Sequence, residues 1–452
     1  MKRKIALSTT QIIILSFFAV IALGSLLLML PVMSASGQAT AFDDACFTAT
    51  TSVCVTGLVT VTTAEHWSLT GKIVILCLIQ IGGMGTIMLA TAILLALNQK
   101  VSLHTRLLIQ NAFNLNNLHG LVRFMKSTFK NVLLVELIGA LAYSFVFIPQ
   151  FGYVRGLWYS VFHAVSAFCN AGIDIIGESS LEPYVHNVWL CSLTMVLIIL
   201  GGLGFTVWQE LIDNAKKLFS KGSSRKRIYF SQHAKTVFVM TALLIFGGSV
   251  FFFLFEYNNP KTIGAFSWSE KILAALFQSV TTRTAGFATI PQVHLTASSI
   301  ILSSVLMFIG GSPSGTAGGI KTTTIAVLIL ELRSVIRGEK YAYCFRRRIE
   351  HEDVRKAFAV FAMSLITGFL ALLFLTFCQT GSQLDIFFEV YSALGTVGLS
   401  RNLTATLTVF SKFIIIACMF FGRVAPISIV FALSKKSIGG GLEYARGNIQ
   451  VG

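Results

Sequence analysis

Four glycines fall at nearly even intervals along the chain: Gly57, Gly172, Gly286 and Gly398, separated by 115, 114 and 112 residues. Each closes a similar stretch: FTATTSVCVTGL at 47–58, FHAVSAFCNAGI at 162–173, LFQSVTTRTAGF at 276–287 and FEVYSALGTVGL at 388–399. A unit written several times at a fixed period sets the architecture before any single residue does. The closing triplets are Val55-Thr56-Gly57, Asn170-Ala171-Gly172, Thr284-Ala285-Gly286 and Thr396-Val397-Gly398, and they share no acid, base or nucleophile. What they share is main chain. Glycine reaches φ > 0 without strain, so each triplet can turn sharply and present carbonyl oxygens. Rings of such oxygens replace the water around a dehydrated cation, and the C-terminal end of a preceding short helix favours positive charge. Side chains are then free to vary, as they do here. Close helix packing is the competing reading for a lone glycine. Four in register, each ten residues beyond a Phe or Leu, favour cation coordination by backbone.

The elements that position these loops must lie in a membrane. Of 452 residues, 54% are hydrophobic, 12% are charged and only seven are proline; the mean hydropathy is +0.76. That leaves no room for a large soluble domain. Long apolar runs read as spanning helices, here 11–31 and 72–98, 132–151 and 188–210, 236–255 and 298–330, 357–378 and 407–433. Each pair brackets one glycine stretch. The expected fold is therefore an all-α membrane protein of four tandem helix–pore-loop–helix repeats, 1–99, 100–215, 216–335 and 336–452, with eight spanning helices around a central ion pore. Non-helical backbone at membrane depth is tolerated only where protein buries it or it lines a water-filled path. Lys2, Arg3 and Lys4 ahead of an apolar run mimic a secretory leader, but the run is near spanning length and supplies the first helix the repeat demands, so it is read as retained.

The net charge of +16 is divided among the segments between repeats: Lys100 to Lys130, Lys216 to Lys235 and Arg333 to Lys356. The positive-inside rule puts these segments and both termini in the cytoplasm of a plasma-membrane protein. Charge spread over short loops argues against nucleic-acid binding. The opposite side holds Asp43, Asp44, Asp174, Glu178 and Glu182, with Trp67, Trp158, Trp189 and Trp268 near the boundary. These acids either concentrate cations at an outer mouth or serve as ordinary caps and solvated charges. The eight cysteines form no CxxC or zinc spacing, and no HExxH or GxSxG occurs. A membrane enzyme is thereby disfavoured, and no cofactor is expected in this chain.

A second motif follows the first. Gly82-Gly83, Gly201-Gly202, Gly310-Gly311 and Gly422-Arg423 trail the four glycines by 25, 29, 24 and 24 residues. The third copy extends into a loop at 307–320 that contains Gly310, Gly311, Ser312, Pro313, Ser314, Gly315, Thr316, Ala317, Gly318 and Gly319, a poor helix former. It predicts a broken helix with a flexible loop beneath the glycine turns; overlapping GxxxG packing steps are the alternative. Arg423, inside an apolar run, must face a cavity or a partner. It either places charge near the ion path, holds the loop through carbonyl oxygens, or anchors the helix structurally. Lys321 nearly completes a phosphate loop, but Ile320 interrupts the motif and no strand precedes it, so it reads as a snorkelling or capping lysine. Arg283 precedes the third triplet. It reads as a structural charge paired with a carboxylate such as Glu389, or as a source of direct ion repulsion.

The four-loop pattern, with SVCVTGL, SVTTRTAGF at 279–287 and GGSPSGTAGGIKTTT at 310–324, resembles the Trk/Ktr/HKT superfamily of potassium transporters over nearly the whole chain. Within it, eight segments and a short lead look most like the membrane subunits of bacterial Ktr systems. The resemblance implies potassium as the transported ion, because a serine in place of the first loop glycine goes with sodium transport and Gly57 is present here. It implies a gate at the glycine-rich loop, a homodimer, and a cytoplasmic ring of RCK-type subunits that carries a regulatory nucleotide. Candidate contacts for that ring are the segments 100–130, 214–235 and 335–356 and the tail from Lys435, with anionic lipid an equal claimant on Arg346-Arg347-Arg348. A secondary transporter of a small cation or metabolite is the rival reading, though such folds usually carry inverted repeats and these four share one orientation. Sodium dependence is left open.

Overall fold

The computed structural model describes residues 9–86, 88, 91, 107, 120–219 and 228–434. The chain runs α1 (Thr9–Leu28), α2 (Phe42–Cys54) and α3 (Leu69–Met84), then α4 (Leu121–Phe151), α5 (Tyr153–Cys169), α6 (Val188–Gly202) and α7 (Phe205–Phe219). It continues with α8 (Gln232–Glu256), α9 (Trp268–Thr281), α10 (Ala297–Phe308) and α11 (Thr322–Ile336), a small hairpin of β1 (Tyr343–Cys344) and β2 (Arg347–Arg348), and α12 (His351–Cys378), α13 (Gln383–Gly395) and α14 (Val409–Ser434).

Helices α1, α4, α8 and α12 are long and apolar enough to cross a membrane, and the bent pair α6–α7 raises that number to five. Their outer faces carry exposed Phe18, Leu137, Leu243 and Phe369, the faces lipid would cover. The protein is thus a mostly helical, multi-pass membrane protein. The partner helices differ from the continuous runs expected at 72–98 and 188–210, whereas the run at 298–330 breaks at its glycine-rich stretch as expected. α3 stops at Met84, where Gly85 takes φ +83°, and most of the expected remainder lies outside the described residues. α6 and α7 meet at a 104° bend, where Gly204 adopts φ +91°. The third run is interrupted between Phe308 and Thr322. In each case glycine-rich sequence removes the helical preference that hydropathy alone had suggested.

The helices that follow the glycine turns start alike. Side chains of Ser68, Asn187, Thr296 and Thr408 accept the N–H groups of Gly71, Leu190, Ser299 and Ser411 at 3.2, 3.0, 3.3 and 3.2 Å, satisfying donors a helix start leaves free. Ser267 and Glu270 form a reciprocal capping box at the start of α9.

Packing runs in a closed order. Short helix α5 packs against α3, α9 against α6, α13 against α10, and α2 against α14, so the last helix meets the first quarter of the chain. Lys412 at the start of α14 seals that junction, its Nζ 2.7 Å from Asp43 and 2.6 Å from Asp44 at the start of α2. The cores between these helices are made by buried Phe47, Phe162, Phe277 and Phe388, one per quarter.

Candidate functional site

The short helices α2, α5, α9 and α13 all end at the centre of the molecule. In each, the first triplet residue takes a left-handed conformation: Val55 at φ 56°, Asn170 at 61°, Thr284 at 66° and Thr396 at 51°. Non-glycine residues held there cost of order 1 kcal/mol or more each, and such strain persists only where the surroundings impose it. The imposing contacts are helix-end hydrogen bonds. The N–H groups of Thr56, Ala171 and Val397 each donate at 2.8 Å to the carbonyls of Thr51, Ser166 and Ser392. Hydroxyls of the same short helices finish the turn. Thr51 and Ser392 accept from the N–H of Gly57 and Gly398 at 2.9 and 3.1 Å. Ser166 and Thr281 donate to the carbonyls of Ile173 and Phe287 at 2.6 Å. The third turn departs slightly: α9 ends early and Ala285 donates to Thr281 at 3.0 Å.

The four glycines then meet one another. A Cβ on Gly57 would strike the carbonyl oxygen of Ala171, one on Gly172 that of Ala285, one on Gly286 that of Val397, and one on Gly398 that of Thr56. Each loop abuts the next and the fourth abuts the first. All four glycines hold φ between 64° and 103°, so a side chain is excluded by both space and conformation. Thr56, Ala171, Ala285 and Val397 therefore bring four carbonyls to one ring, which is chemistry suited to a bare cation. The hydroxyls of Thr56 and Thr396 are buried there with no hydrogen-bond partner among the described residues.

On one side of this ring lies a cavity of about 790 Å³ lined by Gly57, Gly172, Gly286 and Gly398 together with Asp174, Glu178 and Glu182. Burial pushes the Asp174 carboxyl up to about 6, against hydrogen bonds that favour its charged form. Asp43 and Asp44, by contrast, are consumed by Lys412, whose hydrogen bond holds the Asp43 carboxyl below its ordinary value.

On the other side lies the segment 309–321. Its ends are joined, since Gly310 donates to Ile320 at 2.8 Å and Thr322 donates to Gly311 at 3.0 Å. Its middle is stitched to the α6–α7 bend: Ser312 and Thr316 donate to Gly202 and Gly201 at 2.9 and 3.2 Å, and Phe205 donates to Ser314 at 2.9 Å. Gly318 lies so close to Thr396 that a Cβ would strike its hydroxyl. Gly315, beside Pro313, Ser314 and Ala317, faces the backbone of Gly201 and Gly204. Gly319 donates to Gly422 at 3.2 Å. Arg423 donates to the carbonyl of Thr316 and, at 2.6 and 3.4 Å, to those of Gly82 and Gly83. One guanidinium thus ties three distant stretches, using the fixed fork of donors that only arginine carries. Lys321 folds back onto Ala317 at 2.7 Å and serves its own loop.

Two charged residues differ from expectation. Arg283 does not pair with Glu389 among the described residues. The Glu389 carboxylate takes Ser400 at 2.8 Å and the Thr404 hydroxyl instead, and Arg283 is buried with its Nε unpartnered. Sequence reasoning also passed over Glu136, a buried acid on α4 that accepts from Gln80 on α3 at 3.1 Å and faces Cys169, the last residue of α5. A lone carboxylate within an apolar run is a signal that points to such residues.

The family model for TrkH, described as a cation transport protein, matches residues 2–438. The potassium/sodium uptake protein NtpJ of Enterococcus hirae is 39% identical over 97% of this chain and 96% of its own length. The Ktr system potassium uptake protein B of Bacillus subtilis is 38% identical over 94% of this chain and 93% of its own. Among solved structures, the potassium transporter TrkH from Vibrio parahaemolyticus superposes with a TM-score of 0.72 at 19% identity, covering 96% of this chain and 86% of that one. These matches span nearly the whole chain, and the chain accordingly belongs to the TrkH family of cation transport proteins and is a Ktr-type transport protein rather than an enzyme.

Proposed function

We propose that this chain takes up potassium across the plasma membrane through a selectivity filter formed by the four glycine turns. The observation that carries the reading is the closed ring in which each glycine faces the preceding carbonyl of the next turn. Filter positions are the triplets ending at Gly57, Gly172, Gly286 and Gly398. The chain is read as four repeats, 1–99, 100–215, 216–335 and 336–452, with eight membrane crossings and both termini in the cytoplasm. The short helices point their C-terminal ends at the ring, where their dipoles favour a cation over an anion.

Segment 309–321 is the gate in this reading, with Arg423 as its latch and Lys321 as an internal brace. Its hydrogen bonds to Gly201 and Gly202 and the contact of Gly318 with Thr396 put it directly beneath the ring. Opening requires those bonds to be exchanged for water. The resemblance to Ktr systems implies a partner. As a Ktr-type membrane subunit the chain works as a homodimer on a cytoplasmic nucleotide-binding ring, for which the segments between repeats are candidate contacts. The tail from Lys435 and much of 100–130 and 214–235, also candidate contacts, lie outside the described residues.

The test is cation uptake into proteoliposomes containing the purified chain with its ring. Potassium and rubidium uptake well above sodium supports the reading. Equal rates for all three remove the selectivity claim.

A further inference from the structure

The β1–β2 hairpin is not explained by transport. Its register pairs Tyr343 with Arg348 and Cys344 with Arg347, leaving Phe345 and Arg346 as the two turn residues at φ 49° and 63°. A two-residue turn with both φ values positive ordinarily selects Asn-Gly or Asp-Gly. A bulky Phe is an outlier there, and strain of that kind points to a role for the side chains it displays. Phe345, Arg346, Arg347 and Arg348 are all exposed.

The hairpin stands where two spanning helices begin. β2 is followed within three residues by α12, and Tyr229, three residues before α8, accepts a hydrogen bond from Arg347 at 3.0 Å. Lys235 on α8 lies 5.8 Å from the Tyr229 ring and 5.9 Å from Phe345. Farther along the same helices Val239 and Phe358 are exposed in the apolar faces. This is the depth at which aromatic rings and basic side chains meet headgroups. Among the described residues no carboxylate forms an ion pair with the tip, although Glu350 follows Arg348 by two residues. Glu352 and Asp353 pair with Lys356, and among the described residues no ion pair reaches Arg346, Arg347, Arg348 or Lys235.

We infer that this hairpin is a binding site for an anionic phospholipid, with Phe345 seated among acyl chains and Arg346, Arg347 and Lys235 on the headgroup phosphate. An apolar tip flanked by unneutralised cations fits a lipid better than a protein surface, because it answers both parts of a lipid at the boundary where the two parts meet. The inference stands apart from ion selectivity, since it requires only that α8 and α12 cross the bilayer.

The test uses Phe345→Trp in bilayers of brominated phosphatidylglycerol or brominated phosphatidylcholine, with the native chain as background for the other tryptophans. The expected result is quenching of the added tryptophan at least two-fold greater with phosphatidylglycerol. That preference should fall to parity when Arg346, Arg347 and Arg348 are all changed to Gln. Equal quenching in the two lipids before neutralisation overturns the inference. So does the absence of quenching, which would place the tip against a cytoplasmic partner or a second copy. The native chain gives an independent reading. Purified from a mixed bilayer, it should retain phosphatidylglycerol over phosphatidylcholine in native mass spectrometry, and equal retention counts against the site as firmly.

Discussion

Arg423 and Gly82 are 341 positions apart, yet the guanidinium Nη2 of one lies 2.6 Å from the carbonyl oxygen of the other. The same side chain holds Thr316. A helix of the last quarter is thereby bonded to the first quarter and to the segment beneath the carbonyl ring. Hydrogen bonds from a charged donor each contribute about 1.5–3 kcal/mol, and about 1.4 kcal/mol changes an equilibrium tenfold.

Arg423→Ala is therefore expected to release segment 309–321 and raise rubidium uptake about tenfold in proteoliposomes. Arg423→Lys, with one point-like donor group, should fall between the two. Unchanged uptake in Arg423→Ala would reduce the residue to a structural anchor.

Gly315→Ala combined with Gly318→Ala tests the segment itself. The added methyl at 318 collides with Thr396, and the one at 315 crowds Gly201. Uptake should change several-fold while the melting temperature of the purified protein moves by only a few degrees. Wild-type uptake from the double variant would argue that the glycines serve packing alone.

How far this site could be read beforehand differs from residue to residue. Gly57 and its three counterparts were legible because a backbone requirement recurs at fixed period whatever the neighbouring side chains. The interruption at 309–321 was legible because Pro313 and five glycines oppose a helix locally. The partners of Glu389 were not. Opposite charge suggested Arg283, but the Ser400 and Thr404 hydroxyls hold that carboxylate, and no periodicity reports which hydroxyl reaches a carboxylate first. The bend at Gly204 was missed because hydropathy stays high through 188–205 while the backbone there turns to meet Ser314. The clasp of Lys412 on Asp43 and Asp44 joins two ends of the sequence and is visible only after the ring has closed.

Asp174 gives a pH dependence. Its carboxyl is raised to about 6 by burial beside the cavity next to the glycine ring. Above that value it is charged and draws cations; below it the charge is lost. Inward uptake should fall about two-fold, the effect of one charge several ångströms away in a wet site, as external pH drops from 7 to 5, with a midpoint near 6. Asp174→Asn should show the low rate at every pH and no step. A step that survives the substitution would assign the titration elsewhere.

Lys412→Met tests the seal between the last helix and the first. It leaves Asp43 and Asp44 largely buried without their cation, and removing one partner of such a pair costs about 3 kcal/mol. Thermal unfolding in detergent should begin at a clearly lower temperature. The folded Asp43 carboxyl sits below its ordinary value of 3.8, so its stabilising contribution is full above that value and is lost as pH falls through the lower, folded one. Asp43's contribution to the native melting temperature should therefore be constant above pH 5 and fall only below about 4, and the variant should lack that fall. Equal stability of variant and native chain would mean the ion pair is decorative.

The ring of carbonyls is tested most directly by cation competition in proteoliposomes holding the chain with the proposed cytoplasmic ring, comparing native protein with Gly286→Ser. A side chain at 286 meets the Val397 carbonyl in a backbone of φ +82°, so it must push one wall of the ring out of place. The account predicts that native protein takes up potassium and rubidium strongly over sodium and that Gly286→Ser loses this preference or the uptake altogether. Unaltered rates and selectivity in Gly286→Ser, in protein shown to be folded, would contradict a filter built from these four glycines.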